Sequence, residues 1–314
     1  VKKLYSDLDI SAGQVPAIPR KATRTLLPIS FILLSISSTQ IGAALAKTLF
    51  ASFGPVGVTG IRVASGALIL LIIWHKQMRG AYGWKGYGLA ACFGLILASM
   101  NLSFYLALNQ LPLGVAVTLE FVGPLMLAVV QSRKVLDVIW VILAACGVLF
   151  LAPVGFLGGT SFKLAGMGLA LLAGVCWAGY VLLSARVGRI FPGGSGLAVA
   201  TCVAALLLLP PIIIQERSAL LNPPLLLIGV GVGLLSTALP YSLEMEALRH
   251  LPSRVFSILL SLEPAIASLA GLIILHEQLS WRDMLAVILI CLASIGVIAF
   301  QRPGPSKIAS VTEA

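Results

Sequence analysis

Charge is scarce in this chain: Lys, Arg, Asp and Glu make up 10% of its 314 residues, while 59% are hydrophobic. Soluble domains carry about a quarter charged residues, and a water-soluble globule could not hide this much apolar surface. The apolar stretches also recur along the whole length, so one anchor on a soluble domain is excluded as well. The three histidines all fall at the ends of apolar stretches and leave no metal cluster. With no Ser/His/Asp or Cys/His set at one depth, the residues also speak against an intramembrane lipid-modifying enzyme or protease. The cysteines Cys92, Cys146, Cys176, Cys202 and Cys291 form no Cys-x-x-Cys or Cys/His spacing and read as small packing residues. No Gly-Lys-Ser/Thr follows the glycine runs at 166–168 and 229–233, which therefore suit close helix approach rather than phosphate binding. No cofactor or metal is implied.

What remains is a chain whose solvent is a bilayer. A hydrocarbon core of roughly 30 Å needs about 20 apolar residues as helix, because every backbone polar group must be satisfied within the segment. Windows of that kind lie at 26–48, 56–75, 86–108, 112–132, 136–152, 165–185, 196–214, 224–247, 252–274 and 283–300. The tight turn at Leu111-Pro112 separates two of them; without it they would read as one long bent helix. Segment 1–25 is polar, with Pro16 and Pro19, and lacks the short apolar core of a cleavable signal, so insertion is expected to begin with the first helix.

Ten spans place both termini on one side. Sixteen of the 21 Lys and Arg, from Lys2 to Lys307, fall on that side, whereas Lys47, Lys163, Arg217 and Arg282 fall on the other and Arg62 lies within a span. Positive loops mark the cytoplasmic face, so both termini are expected there. The same bias accounts for the net charge of +10 without nucleic acid or another anionic partner.

Residues 107–112 read Ala-Leu-Asn-Gln-Leu-Pro and residues 247–252 read Ala-Leu-Arg-His-Leu-Pro, an offset that also carries Val115 to Val255 and Pro124 to Pro264. Five spans per copy is an odd number, so the second copy must cross in the opposite sense. The predicted fold is therefore all-α and polytopic, with ten transmembrane helices as two inverted five-helix repeats. The copies occupy 26–152 and 165–300, joined by a linker at 153–164, with a tail at 301–314. Sites in such folds lie near the midplane between the halves. Mid-span prolines at Pro124 and Pro264 would free the carbonyls of Glu120 and Leu260. A kink in both copies fits either a central cavity or two helices bent to suit their neighbours.

Glu120 lies eight residues after Pro112, about 12 Å deep, and Glu263 eleven residues after Pro252, about 16 Å deep. Under the repeat, Glu263 maps three residues from Glu120, on nearly the same helical face. A carboxylate at that depth costs a few kcal/mol and marks a functional site unless it is a structural group bonded to a kinked helix or paired with Arg62. Arg62, beyond snorkelling reach, needs an anion: Glu120 or a substrate carboxylate. Glu244 and Glu246 stand near Arg249, His250 and Arg254, Glu246 as a gate or surface pair and Glu244 one turn deeper. Glu277, His276 and Asp283 are expected to be solvated. Asn101, Ser103, Tyr105, Trp177, Tyr180 and Tyr241 fall within spans and suit either a pocket wall or helix packing. Trp74, Trp84 and Trp281 lie at span ends, as interfacial belt residues do.

The segments Leu119-Glu120-Phe121-Val122-Gly123-Pro124 and Leu262-Glu263-Pro264-Ala265, followed by Leu275-His276-Glu277, resemble the EamA family of the drug/metabolite transporter superfamily. The stretches 112–121 and 236–245 resemble its threonine/homoserine exporter branch. The resemblance covers residues 26–300. It implies a bacterial inner-membrane secondary transporter, monomer or homodimer, exporting a small amino acid or metabolite by alternating access in exchange for protons. Position 276 is His where the family commonly has Gly before Glu. Export of another metabolite or drug, or import, is the alternative.

Overall fold

The computed structural model describes residues 20–78, 80, 82–132, 137–151, 161–215, 223–250 and 253–300. Every regular element among them is helical: α1 (Arg20–Thr48), α2 (Phe50–Met78), α3 (Gly83–Leu108), α4 (Leu113–Ser132), α5 (Asp137–Leu151), α6 (Ser161–Ile190) and α7 (Ser195–Gln215). There follow α8 (Pro223–Gly233), a π-helical turn (Leu234–Ala238), α9 (Leu239–His250), α10 (Ser253–Leu260), α11 (Glu263–Ile274) and α12 (Trp281–Phe300). The expected terminal segments and linker lie outside the described residues, apart from residues 20–25 in α1 and 161–164 in α6. The loop cations Arg133, Lys134 and Arg217 lie outside them too.

Among the described residues, six apolar stretches are long enough to cross a membrane: Leu27–Thr48, Phe50–Met78, Gly83–Leu108, Leu164–Ile190, Leu226–Glu244 and Phe256–Ile274. Their outer faces carry Ile72, Ile73, Leu227 and Ile273, each more than half exposed. Exposing one such side chain to water forgoes roughly 1.5–3 kcal/mol, so faces built of them belong against lipid. The protein is a multi-pass membrane protein.

Local chemistry sets the breaks. The split between α3 and α4 falls at residues 109–112, where Pro112 ends the ladder, as read from the sequence. Inside α2, Gly54 has φ 60° and ψ 166°, a conformation that suits glycine, and Pro55 restarts the helix. The ninth window is not one helix kinked at Pro264. It breaks earlier, at Ser261-Leu262, and Pro264 sits in the first turn of α11, where its missing N–H costs nothing. α4 continues through Pro124 to Ser132. There the carbonyl of Glu120 abuts Gly174 of α6, and Gly123 lies against the same glycine so closely that a β-carbon there would meet backbone.

Helices from the first part of the chain pack mainly against helices from the second. α2 lies on α7, α4 on α11 and α5 on α12. Other pairings come in exchanged sets: α3–α6 with α1–α9, α3–α7 with α2–α8, and α4–α6 with α1–α11. The largest apolar core joins Phe53, Val58, Tyr105, Leu108 and Leu113 to Ala170, Val232 and Ala267. Its members come from both parts of the chain. Of the cysteines, Cys291 is buried, Cys146, Cys176 and Cys202 are partly so, and Cys92 faces outward.

Candidate functional site

A cavity of about 350 Å³ lies where these two sets of helices meet. That is ample for a small metabolite and at the small end of ligand sites generally. α1 supplies Thr39, Gln40 and Ala43, α2 Arg62, α3 Asn101 and α4 Glu120. α6 adds Trp177, Tyr180 and Ser184, the π turn Ser236, α9 Glu244, and α11 Glu263. Three carboxylates and one guanidinium therefore share one space.

Arg62 does not pair with Glu120. Its Nη1 donates to Asn101 Oδ1 at 2.8 Å and its Nη2 to the Ser236 carbonyl at 3.0 Å. That carbonyl needs an outside donor because Pro240, four residues on, has no N–H to return to it. The guanidinium thus ties α2, α3 and the π turn together, with three of its five N–H groups left over. Tyr105 is no wall of the cavity: it is fully buried beside Arg62, whose guanidinium carbon stands 5.2 Å from the ring centroid. The residues around the π turn are small enough to let it in. Gly42 of α1 faces the Ser236 hydroxyl, Gly66 of α2 faces Thr237, and Gly233 rests 2.9 Å from the Arg62 carbonyl as measured to an ideal β-carbon. Ser38 Oγ donates to the Leu235 carbonyl at 2.7 Å, completing the seat.

The carboxylates find neutral donors. Gln40 Nε2 donates to Glu263 Oε1 at 3.0 Å, and Ser35 Oγ to Glu244 Oε1 at 2.8 Å. Among the described residues, none of Glu120, Glu244 and Glu263 has a cation at ion-pair distance. Of the basic residues at the end of α9, His250 pairs with Glu246 at 3.2 Å, largely exposed, while the side chains of Arg249 and Arg254 lie outside the described residues. Ser103 turns back to the Ser99 carbonyl, a bond within its own helix. The Tyr241 side chain lies outside the described residues.

The expectation that Glu277 is solvated is overturned. It accepts from Lys47 Nζ at 2.7 Å and from the Leu113 N–H at 2.7 Å, with only 15% of its side chain exposed. His276 is exposed, and Asp283 accepts from the N–H and hydroxyl of Ser280 at the start of α12, a capping arrangement. Of the belt tryptophans, Trp84 and Trp281 are exposed, whereas Trp74 covers Gly193 and Gly194. Sequence reasoning missed Gln40, Ser35, Ser236 and Lys47. The available signal was the polar run Ser35 to Gln40 inside an otherwise apolar span.

An all-helical membrane fold enclosing a small, charged cavity fits a transporter. Comparison with known proteins agrees. The EamA-like transporter family matches residues 164–299. The threonine/homoserine exporter RhtA of Salmonella typhimurium is 44% identical over 270 residues, covering 86% of this chain and 90% of that protein. RhtA of Escherichia coli K12 is 43% identical with the same coverage. The uncharacterized transporter YwfM of Bacillus subtilis is 26% identical over 76% of this chain and 81% of its own length. A solved crystal structure shares the fold with a TM-score of 0.59 at 19% identity, covering 88% of this chain and 97% of that one. The chain belongs to the EamA-like transporter family.

Proposed function

We propose that this protein exports a small hydroxylated amino acid such as threonine or homoserine from the bacterial cytoplasm, in exchange for protons and by alternating access. The observation that carries the reading is one cavity that gathers Arg62 and Glu120 from the first part of the chain and Glu244 and Glu263 from the second. A zwitterion carries one group for each: its ammonium for the carboxylates and its carboxylate for the unused N–H groups of Arg62. Asn101, Ser236 and Gln40 offer neutral partners for a hydroxyl. The names of the RhtA relatives supply the particular amino acids.

The architecture proposed with it is ten membrane crossings as two inverted five-helix repeats, 26–152 and 165–300, with both termini cytoplasmic in the inner membrane. The exchanged helix pairings support a two-fold relation, because α3–α6 and α1–α9 are the same contact under a shift of five crossings. In this reading Glu263, held by Gln40, exchanges a proton for substrate, with Glu120 as its neighbour across the cavity. The break at Ser261-Leu262 and the π turn before Pro240 are the places where the walls can move.

The test is substrate counterflow in proteoliposomes across a panel of amino acids, with and without a pH gradient. Counterflow of threonine or homoserine, concentrated by a pH gradient, is the expected result. Selective counterflow of an unrelated metabolite would overturn the substrate assignment, and accumulation indifferent to pH would overturn the exchange.

A further inference from the structure

The corner built by Lys47 and Glu277 lies outside the cavity yet directly on its end. Ala43 and Val117 line the cavity. Lys47 is four residues beyond Ala43 on α1 and Leu113 four residues before Val117 on α4, each one helical turn or about 6 Å away. At that level Lys47 Nζ reaches Glu277 Oε1 at 2.7 Å and the Leu111 carbonyl at 2.6 Å, while Glu277 Oε2 takes the Leu113 N–H at 2.7 Å. Three segments thus meet on one ion pair: the end of α1, the α3–α4 turn, and the end of α11.

The chain is shaped to deliver Glu277 there. His276 adopts φ 53°, which turns the backbone so that the N–H groups of Leu275 and Glu277 both reach the Gly271 carbonyl at 3.1 Å. Gly271 leaves the space that the carboxylate fills; a β-carbon there would stand 2.6 Å from Glu277 Oε2. Opposite, the cavity is bounded by Val181, Ser184, Glu244 and Phe256. The ion pair described near that end, His250–Glu246, lies within α9 alone and is largely exposed.

We infer that the Lys47–Glu277 pair is the latch of one gate: it closes the cavity at the α1 and α11 ends and must part for substrate to leave on that side. This rests on the transport reading, in which that side is the periplasm. The chemistry suits reversal. Both side chains keep 15–21% of their surface exposed, so water can take over each charge as they separate. The Leu113 N–H is in the first turn of α4, has no partner within its own helix, and can likewise be hydrated. An apolar seal would have no such substitute for its lost contacts.

The experiment follows the exposure of Ala43→Cys to a membrane-impermeant maleimide added from the Lys47 side of full-length protein in oriented proteoliposomes. The rate is taken as the increment over protein retaining only the native cysteines. Glu277→Gln keeps an acceptor for Leu113 and removes the charge; Lys47→Met removes the cation and keeps the length. Each is expected to raise labelling several-fold, and the exchanged pair Lys47→Glu with Glu277→Lys to bring it back toward the parent rate. Unchanged labelling in Glu277→Gln and Lys47→Met proteins that elute as folded, monodisperse protein would overturn the latch and leave a static brace. Equal labelling in the exchanged pair and the single variants would overturn the charge-specific part. Because the readout needs no substrate, failure of the counterflow screen is distinguishable from failure of the latch.

Discussion

Glu263 opens α11 and Glu277 lies fourteen residues on, just past its end, and both are carboxylates held by residues of α1. Their partners differ. Glu263 accepts from the neutral amide of Gln40, whereas Glu277 accepts from the ammonium of Lys47 and from a backbone N–H. Neutralising Glu277 strands a lysine in a sheltered corner. Neutralising Glu263 leaves only an amide to re-pair. The contrast separates a charge that joins parts of the structure from charges that remain to be answered by something entering the cavity.

The largest effect expected from breaking this contrast is on transport. Glu263→Gln, nearly isosteric, should keep the fold and lower pH-driven accumulation of substrate by about tenfold or more, equivalent to about 1.4 kcal/mol per decade. Accumulation at the parental level in well-folded protein would remove Glu263 from the coupling and make Glu120 or Glu244 the carrier to examine. The opposite profile is expected at the other end of α11. Glu277→Ala should lower stability by roughly 1–3 kcal/mol, the cost of an unmatched buried partner reduced for its partial exposure. Thermal unfolding in detergent measures it, and a midpoint equal to that of the parent would mean the pair contributes nothing to the closed form.

A smaller effect is expected at Arg62. Lysine keeps the charge but cannot span Asn101 and the Ser236 carbonyl with a planar fork. Arg62→Lys should weaken counterflow affinity for the amino acid by about three- to tenfold, and by less for its decarboxylated analogue. Equal affinities for both compounds would show that no substrate carboxylate meets this residue. The smallest change belongs to Glu246. Its pair with His250 is exposed and lies within one helix, so Glu246→Gln should alter stability by no more than about 0.5 kcal/mol and leave transport as it was. A large loss in either measurement would place Glu246 among the working carboxylates.

Prolines show how far reading along the chain carries. Pro112 falls in the short turn between two apolar windows, so the α3–α4 split could be read directly. Pro264 and Pro124 had the same local chemistry and different outcomes: a helix start in one case, a continuous helix beside Gly174 in the other. Pro240, within the 236–245 stretch, leaves the Ser236 carbonyl for Arg62. Which side chain answers a freed carbonyl is settled by a helix about 174 residues away in sequence, and periodicity carries no record of such distances.

The amino-acid sequence by itself determined that this protein lives in a membrane and that Glu120, Glu263 and Arg62 stand inside otherwise apolar stretches. The reason is that hydrocarbon penalises every unpaired polar group, so each departure from apolar sequence stands out. Tertiary structure alone decided how those groups are answered. It turned Arg62 from Glu120 to Asn101 and Ser236, moved Tyr105 out of the cavity wall, brought Gln40 to Glu263, and drew Glu277 from solvent onto Lys47. Ion pairs and hydrogen bonds reach only about 3–4 Å, so their partners exist only once distant helices have packed.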